Sequence, residues 1–157
     1  MLDHPDFQVK NTLESPLNLE DTFKLLTDFA WLNKHLAPPT QGSSLEGGKL
    51  EKGATYFDTL ALLGIKRKIQ CSVVDFQEPR KVCYLMCPRF LYFAWDQITE
   101  WDFVSSGDHT VVEITVGVKF RYAFQRLFLG RFKQAFVDHW DEMRLVRQQA
   151  LDLMKPS

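Results

Sequence analysis

The sequence has little of what metal-dependent, nucleophilic or membrane-spanning machinery requires. Its four histidines, His4, His35, His109 and His139, are scattered without metal-ligand spacing, so no metal site is expected. No Gly-x-Ser-x-Gly elbow and no recognisable cysteine signature occurs, which leaves nucleophilic catalysis unsupported and no catalytic residue to assign. Gly47-Gly48 and Gly53 fit neither dinucleotide nor Walker spacing, so no phosphate-cradling loop and no cofactor is expected. No apolar run approaches the roughly 20 residues a membrane span needs. A net charge of -1 gives no global drive toward nucleic acid. The opening Met1-Leu2-Asp3-His4-Pro5 lacks the basic start and apolar stretch of a secretory signal, which implies a cytoplasmic location. Cysteine usage agrees. Cys83 and Cys87 would share a strand face about 13 Å apart, too far for a disulfide, and Cys71 stands alone.

What is present is aromatic. Thirteen Phe and four Trp bring aromatics to 13% of 157 residues, an excess that suits a wide core or a pocket wall. A chain of this length fits one domain, 1–157, able to bury about 68–70% of its unfolded surface. The most ordered pattern lies in the last third. Phe124, Phe128, Phe132, Ala135, Phe136, His139, Met143, Val146, Ala150 and Leu153 recur at steps of three and four and share a wedge of roughly 120° on a helix. Lys133, Gln134, Asp141, Arg144, Gln148 and Asp152 fall opposite. Gly130 marks the boundary: the helix is expected from Arg131 to Met154, about 36 Å long, with Phe124 to Leu129 a loop or a separable turn.

Upstream, Phe7, Val9, Asn11 and Leu13 alternate with polar residues as in a half-buried strand, which Ser15-Pro16 stops. Asn18 with Asp21 caps a short helix whose inner side is Leu19, Phe23, Leu25 and Leu26, and a second short helix over Phe29 to His35 buries Trp31 and Leu32. Thr40 to Gly53 reads as a weak strand and a turn through Gly47-Gly48. Ala54 to Leu63 and Ile65 to Phe76 form a hairpin through Gly64, with Ile65, Ile69, Cys71 and Val73 on one face and Lys66, Lys68, Gln70 and Ser72 toward water. After the turn Glu78-Pro79-Arg80 come a strand at Lys81 to Cys87 and an apolar loop at Phe90-Leu91-Tyr92. Strands at Phe93 to Val104 and Thr110 to Tyr122 follow, joined by Ser105-Ser106-Gly107-Asp108. In the last of them Val112, Ile114, Val116, Val118 and Phe120 make an unbroken alternating face.

This order predicts an α+β helix-grip architecture: a curved seven-stranded antiparallel sheet wrapped around a long C-terminal helix, with two short helices between strands 1 and 2. Several local features resemble the START-like superfamily, also called SRPBCC or polyketide cyclase/dehydrase-like. They are Ser15-Pro16 before Glu20-Asp21-Thr22-Phe23, then Thr27-Asp28-Phe29-Ala30-Trp31, Leu50-Glu51-Lys52-Gly53-Ala54, Glu78-Pro79-Arg80-Lys81 and the terminal helix. The chain departs from many members at Gly107-Asp108-His109-Thr110, where they carry a Gly-Gly-Thr-like turn. The resemblance covers essentially the whole chain and implies a pocket for a hydrophobic or amphipathic small molecule, such as a lipid, between sheet and terminal helix. It implies no particular reaction, since function resides in the site.

Two readings of His139 stand: a core histidine bonded to a backbone carbonyl or buried water, or a polar handle that orients a ligand. Phe128, Phe132, Phe136 and Met143 would join it from the helix, and Tyr84, Met86 and Phe120 from the sheet. Trp95, Gln97, Thr99 and Trp101 form one alternating set that either lines this pocket or meets water, with Ala94 and Ile98 inward in the second case. Asp58, Asp96 and Glu100 are strand carboxylates, a type more often solvated than buried. The segment from Arg121 to Lys133 carries four cations and four aromatics, either as a solvated turn or as a transient contact with an anionic membrane. Ligand binding without chemistry is the expected function. The alternatives are a cyclase or aromatase-type enzyme using His139, Tyr84 and an inward carboxylate on a polyketide-like substrate, and a protein-interaction module.

Overall fold

Period-two alternation builds the sheet and period-3.6 patterning builds its cover, in a computed structural model that describes residues 2–35, 44–45, 49–62, 65–90 and 93–154. The strands are β1 (Phe7–Ser15), β2 (Ser44–Leu45), β3 (Thr55–Leu62), β4 (Ile65–Gln77), β5 (Lys81–Met86), β6 (Arg89–Phe90), β7 (Phe93–Ser106) and β8 (His109–Phe120). The helices are α1 (Leu19–Thr27), α2 (Phe29–His35) and α3 (Leu129–Asp152), with a 3-10 turn at Ala123–Phe128 before α3. Seven strands run in the antiparallel order β1-β8-β7-β5-β4-β3-β2, and β6 pairs separately with the start of β7. The fold is the expected α+β helix-grip. The eighth strand is the small difference: Arg89 and Phe90, expected before or within an apolar loop, pair with Ala94 and Phe93. Leu91 and Tyr92 lie outside the described residues, as do Gly47-Gly48 and Gly64.

Local chemistry explains the boundaries. Asn18 Oδ1 accepts the Asp21 N–H at 2.9 Å, capping α1. On its inner side α1 buries Thr22, Phe23 and Leu26, while Leu19 and Leu25 are half-buried. In α2 Leu32 is buried but Trp31 only half so. Ser106 pairs with His109, leaving a two-residue turn in which Gly107 takes φ +70°, the arrangement of a hairpin turn with glycine first. Register shifts between Val73 and Asp75 of β4 opposite β5, a bulge that resets the alternation. Ahead of it Cys71 and Val73 face the core; beyond it Phe76, paired with Val82, packs inward.

In α3 the buried face is Phe132, Phe136, Trp140, Met143, Ala150 and Leu151. Phe124 and Phe128 are exposed instead, because the 3-10 turn breaks the phase of a helix extrapolated backward, and Leu153 lies past the last turn at 80% exposure. The helix begins at Leu129, so Gly130 sits inside its first turn rather than before it. Gln148, expected on the outer face, turns toward β1.

Candidate functional site

The inner face of the sheet is continuous across five strands. In β7, Trp95, Gln97, Thr99 and Trp101 are buried, which settles their orientation inward. From β5, Tyr84 and Met86 face the same way, and from β8, Phe120. From β3 come Tyr56, which pairs with the fully buried Cys71, and Asp58, two residues on and half-buried. Alternation places Asp58 on the Tyr56 side, against the general preference of strand carboxylates for solvent.

Helix α3 crosses this face and is fastened along one margin. Asn11 Nδ2 donates to the Trp140 carbonyl at 3.3 Å, Glu14 N–H donates to Gln148 Oε1 at 3.0 Å, and Gln148 Nε2 returns a bond to the Glu14 carbonyl at 2.8 Å. All three involve β1. Near its start, Phe132 and Phe136 sit among aromatic rings: Phe7 lies 6.1 and 5.5 Å from them, Trp95 5.0 Å and Phe120 4.9 Å from Phe132, all edge-on. Such pairs contribute about 0.5–1.5 kcal/mol each beyond their area.

Further along, the same helix presents His139, Met143 and Arg147 at steps of four. The Arg147 guanidinium lies 4.9 Å over the Trp101 ring and 6.0 Å from that of Trp140. Tyr84 packs edge-on against Tyr56 at 5.3 Å and Trp101 at 6.4 Å. Among the described residues, buried polar atoms here lack partners: Nε and Nη1 of the half-buried Arg147 and Nε1 of Trp101 and Trp140. On the same face Gln97 Nε2 donates to Thr99 Oγ1 at 3.2 Å while Gln97 Oε1 is unmatched.

Electrostatics set the protonation of this group. Burial pushes the Tyr56 and Tyr84 phenols up and the Cys71 thiol up to about 12, so all three keep their protons at neutral pH. Burial, reinforced by the Arg147 cation, holds the half-buried His139 below its ordinary value and therefore neutral. Burial also lowers Arg147, against the attraction of Asp58, although a guanidinium keeps its charge in any case. Asp58 is thus close enough to act on Arg147, His139 and both tyrosines. No hydrogen bond joins His139 to either phenol among the described residues. The arrangement can orient a polar group through several donors and one charge.

Of the residues expected at the site, Phe132, Phe136, Met143, Tyr84, Met86, Trp95, Gln97, Trp101 and Phe120 are gathered on the facing surfaces and His139 on the flank of α3. Phe128 stands apart at 51% exposure, with its ring 6.2 Å from Phe93. Sequence reasoning did not single out Tyr56, Trp140 and Arg147. The spacing of Arg147 from His139 and Met143 was the available signal. Asp96 and Glu100 are both half-buried and tied to cations, Asp96 to Arg121 at 2.8 Å and Arg89 at 3.3 Å, Glu100 to Lys81 at 3.3 Å. Among the described residues no cluster of three His, Cys, Asp or Glu side chains is placed to hold a metal. Nor is any of their helices long and apolar enough to cross a membrane.

No protein-family description matches the sequence, and no curated protein does. Solved structures do match. The protein TTHA0849 from Thermus thermophilus superposes with a TM-score of 0.71 at 15% identity, over 96% of this chain and 100% of its own. Norcoclaurine synthase from Thalictrum, solved as a point mutant with a transition-state analogue, gives 0.66 at 12% identity over 96% of each chain. A START superfamily protein from Mycobacterium smegmatis gives 0.65 at 13% identity over 94% of this chain and 98% of its own. The chain therefore has the START-like, or SRPBCC, helix-grip fold.

Proposed function

We propose that the protein binds a hydrophobic or amphipathic small molecule, a lipid among the candidates, between the sheet and α3. The observation that carries this reading is the set of unmatched buried polar atoms on Trp101, Trp140, Arg147 and Gln97 within an otherwise aromatic wall. Sparse polar groups in an apolar surround are the usual composition of a ligand site. The hydrogen bonds from α3 to β1 hold one margin of the helix, while Arg147 lies over Trp101 of β7 with Asp58 of β3 acting on it through space. Native mass spectrometry with lipid extraction of protein purified from its own host tests the reading. A stoichiometric co-purifying molecule is expected; protein that carries none and takes up none from a lipid panel would reject it. We assign the protein to the cytoplasm, in keeping with three free thiols, two of them buried.

A second reading, an enzyme acting on a polyketide-like substrate, draws on the convergence of Tyr56, Asp58, Tyr84 and His139, with protonated phenols as donors and a neutral imidazole as acceptor. Recovery of the bound molecule unchanged after prolonged incubation excludes it; conversion lost in Tyr84→Phe supports it.

Delivery or uptake of the ligand would take place through brief contact of the 3-10 turn with an anionic membrane. Leu127 is 84% exposed there, beside exposed Tyr122, Phe124 and Phe128. Arg131 and Lys133 are exposed, whereas Arg121 and Arg126 are engaged by Asp96 and Asp6, each at 2.8 Å. Apolar insertion then matters more than the count of cations. Co-sedimentation with phosphatidylserine vesicles above that with phosphatidylcholine, lost in Leu127→Glu, is the expected result; equal recovery with both vesicles rejects the contact.

A further inference from the structure

The unmatched atoms around the second half of α3 are all of one kind. Among the described residues Arg147 Nε and Nη1 have no acceptor, and neither do the indole Nε1 atoms of Trp101 and Trp140, the two rings that the guanidinium lies over. Four donors without an acceptor, one group of them cationic, define what is missing: an acceptor that carries negative charge. Asp58 acts on the guanidinium through space, yet no carboxylate is in ion-pair contact with Arg147 among the described residues. The two ring contacts do not replace one, because cation–π attraction is weaker than the cost of desolvating an unpaired charge. A water molecule would satisfy a donor but not the charge.

We propose that this end of the site receives the anionic headgroup, carboxylate or phosphate, of an amphipathic ligand, with Arg147 as charge partner and Trp101 and Trp140 as flanking N–H donors. The proposal rests on ligand binding between sheet and helix and adds the chemical class of what is bound. Arginine suits the role because its planar donors match carboxylate and phosphate oxygens and its charge persists at any physiological pH.

Calorimetric titration of the full chain with decanoate, decyl phosphate and decanol, three probes sharing one tail, tests it at neutral pH. At least one anion is expected to bind about tenfold or more tightly than the alcohol, and the ratio of the two anions tells carboxylate from phosphate. Arg147→Gln is expected to erase that preference by weakening the anion about tenfold while leaving decanol within about twofold. Trp140→Phe, which keeps the ring and removes one donor, is expected to weaken the anion by a smaller factor and provides the same readout should Arg147→Gln fail to fold. Decanol binding as tightly as both anions, or a preference that survives in folded Arg147→Gln, overturns the headgroup assignment and leaves ligand binding standing. Failure of all three probes to bind overturns both.

Discussion

Along its first half α3 sets Phe132 and Phe136 among Phe7, Trp95 and Phe120, and those contacts are ring on ring. Along its second half it presents His139, Met143 and Arg147 to Tyr56, Asp58, Tyr84 and Trp101, and there the buried donors go unmatched. One helix thus packs as aromatic core along its first turns and carries a half-buried cation and unmatched donors around its later ones. The difference separates the part of the helix that holds the fold from the part on which the proposed ligand site rests. Close aromatic packing fixes the first part of the helix, and the unmatched donors of Arg147 and Trp101 lie along the second.

The contrast is sharpest in stability. Phe136→Ala, at a fully buried ring, is expected to cost about 3–5 kcal/mol by urea unfolding, because the cavity it leaves is walled by rigid aromatic neighbours. Arg147→Met is expected to do the opposite, stabilising the protein by about 1 kcal/mol, since it removes a half-buried cation that no carboxylate contacts among the described residues and keeps much of the side-chain bulk. A large loss at Arg147 would erase the distinction between the halves. Gln148→Ala breaks both bonds to the Glu14 backbone at the β1 margin and is expected to cost about 1 kcal/mol.

The smallest effect concerns pH. His139 is held below its ordinary value of 6.5, so as pH falls the unfolded chain takes up its proton first. The stability linked to this group is complete above pH 6.5 and declines as pH drops through the lower folded value. His139→Phe is expected to flatten the fall of the urea midpoint between neutral pH and about pH 5. An unchanged slope would show that the imidazole is solvated.

Local patterns made most of the scaffold legible. The alternation in β8 and the Asn18–Asp21 cap are each decided by neighbours in sequence, so each could be read directly. The phase of α3 was not legible at its start, because a 3-10 turn and an α-helix carry side chains around the axis at different rates. In β7 both Ala94 and Trp95 are buried, so the inner face of the strand depended on partners far away in sequence. Tyr56 and Arg147 were hidden for another reason. Tyr56 alternates as an ordinary strand residue, and an arginine on a helix is usually a surface charge; only the tertiary fold shows it half-buried beside two tryptophans.

Among the described residues the first strand pairs only with the last: Phe7 is opposite Val118, 111 positions later, and no other described strand borders β1. During synthesis at about 5–20 residues per second, β1 therefore waits roughly 6–22 s after leaving the ribosome before its ladder partner exists. Helix α3, which docks on β1, arrives later still. The apolar face of the first strand is covered by the last elements of the fold, so folding waits on synthesis of β8 and α3, and β1 is the segment a chaperone would have most occasion to hold.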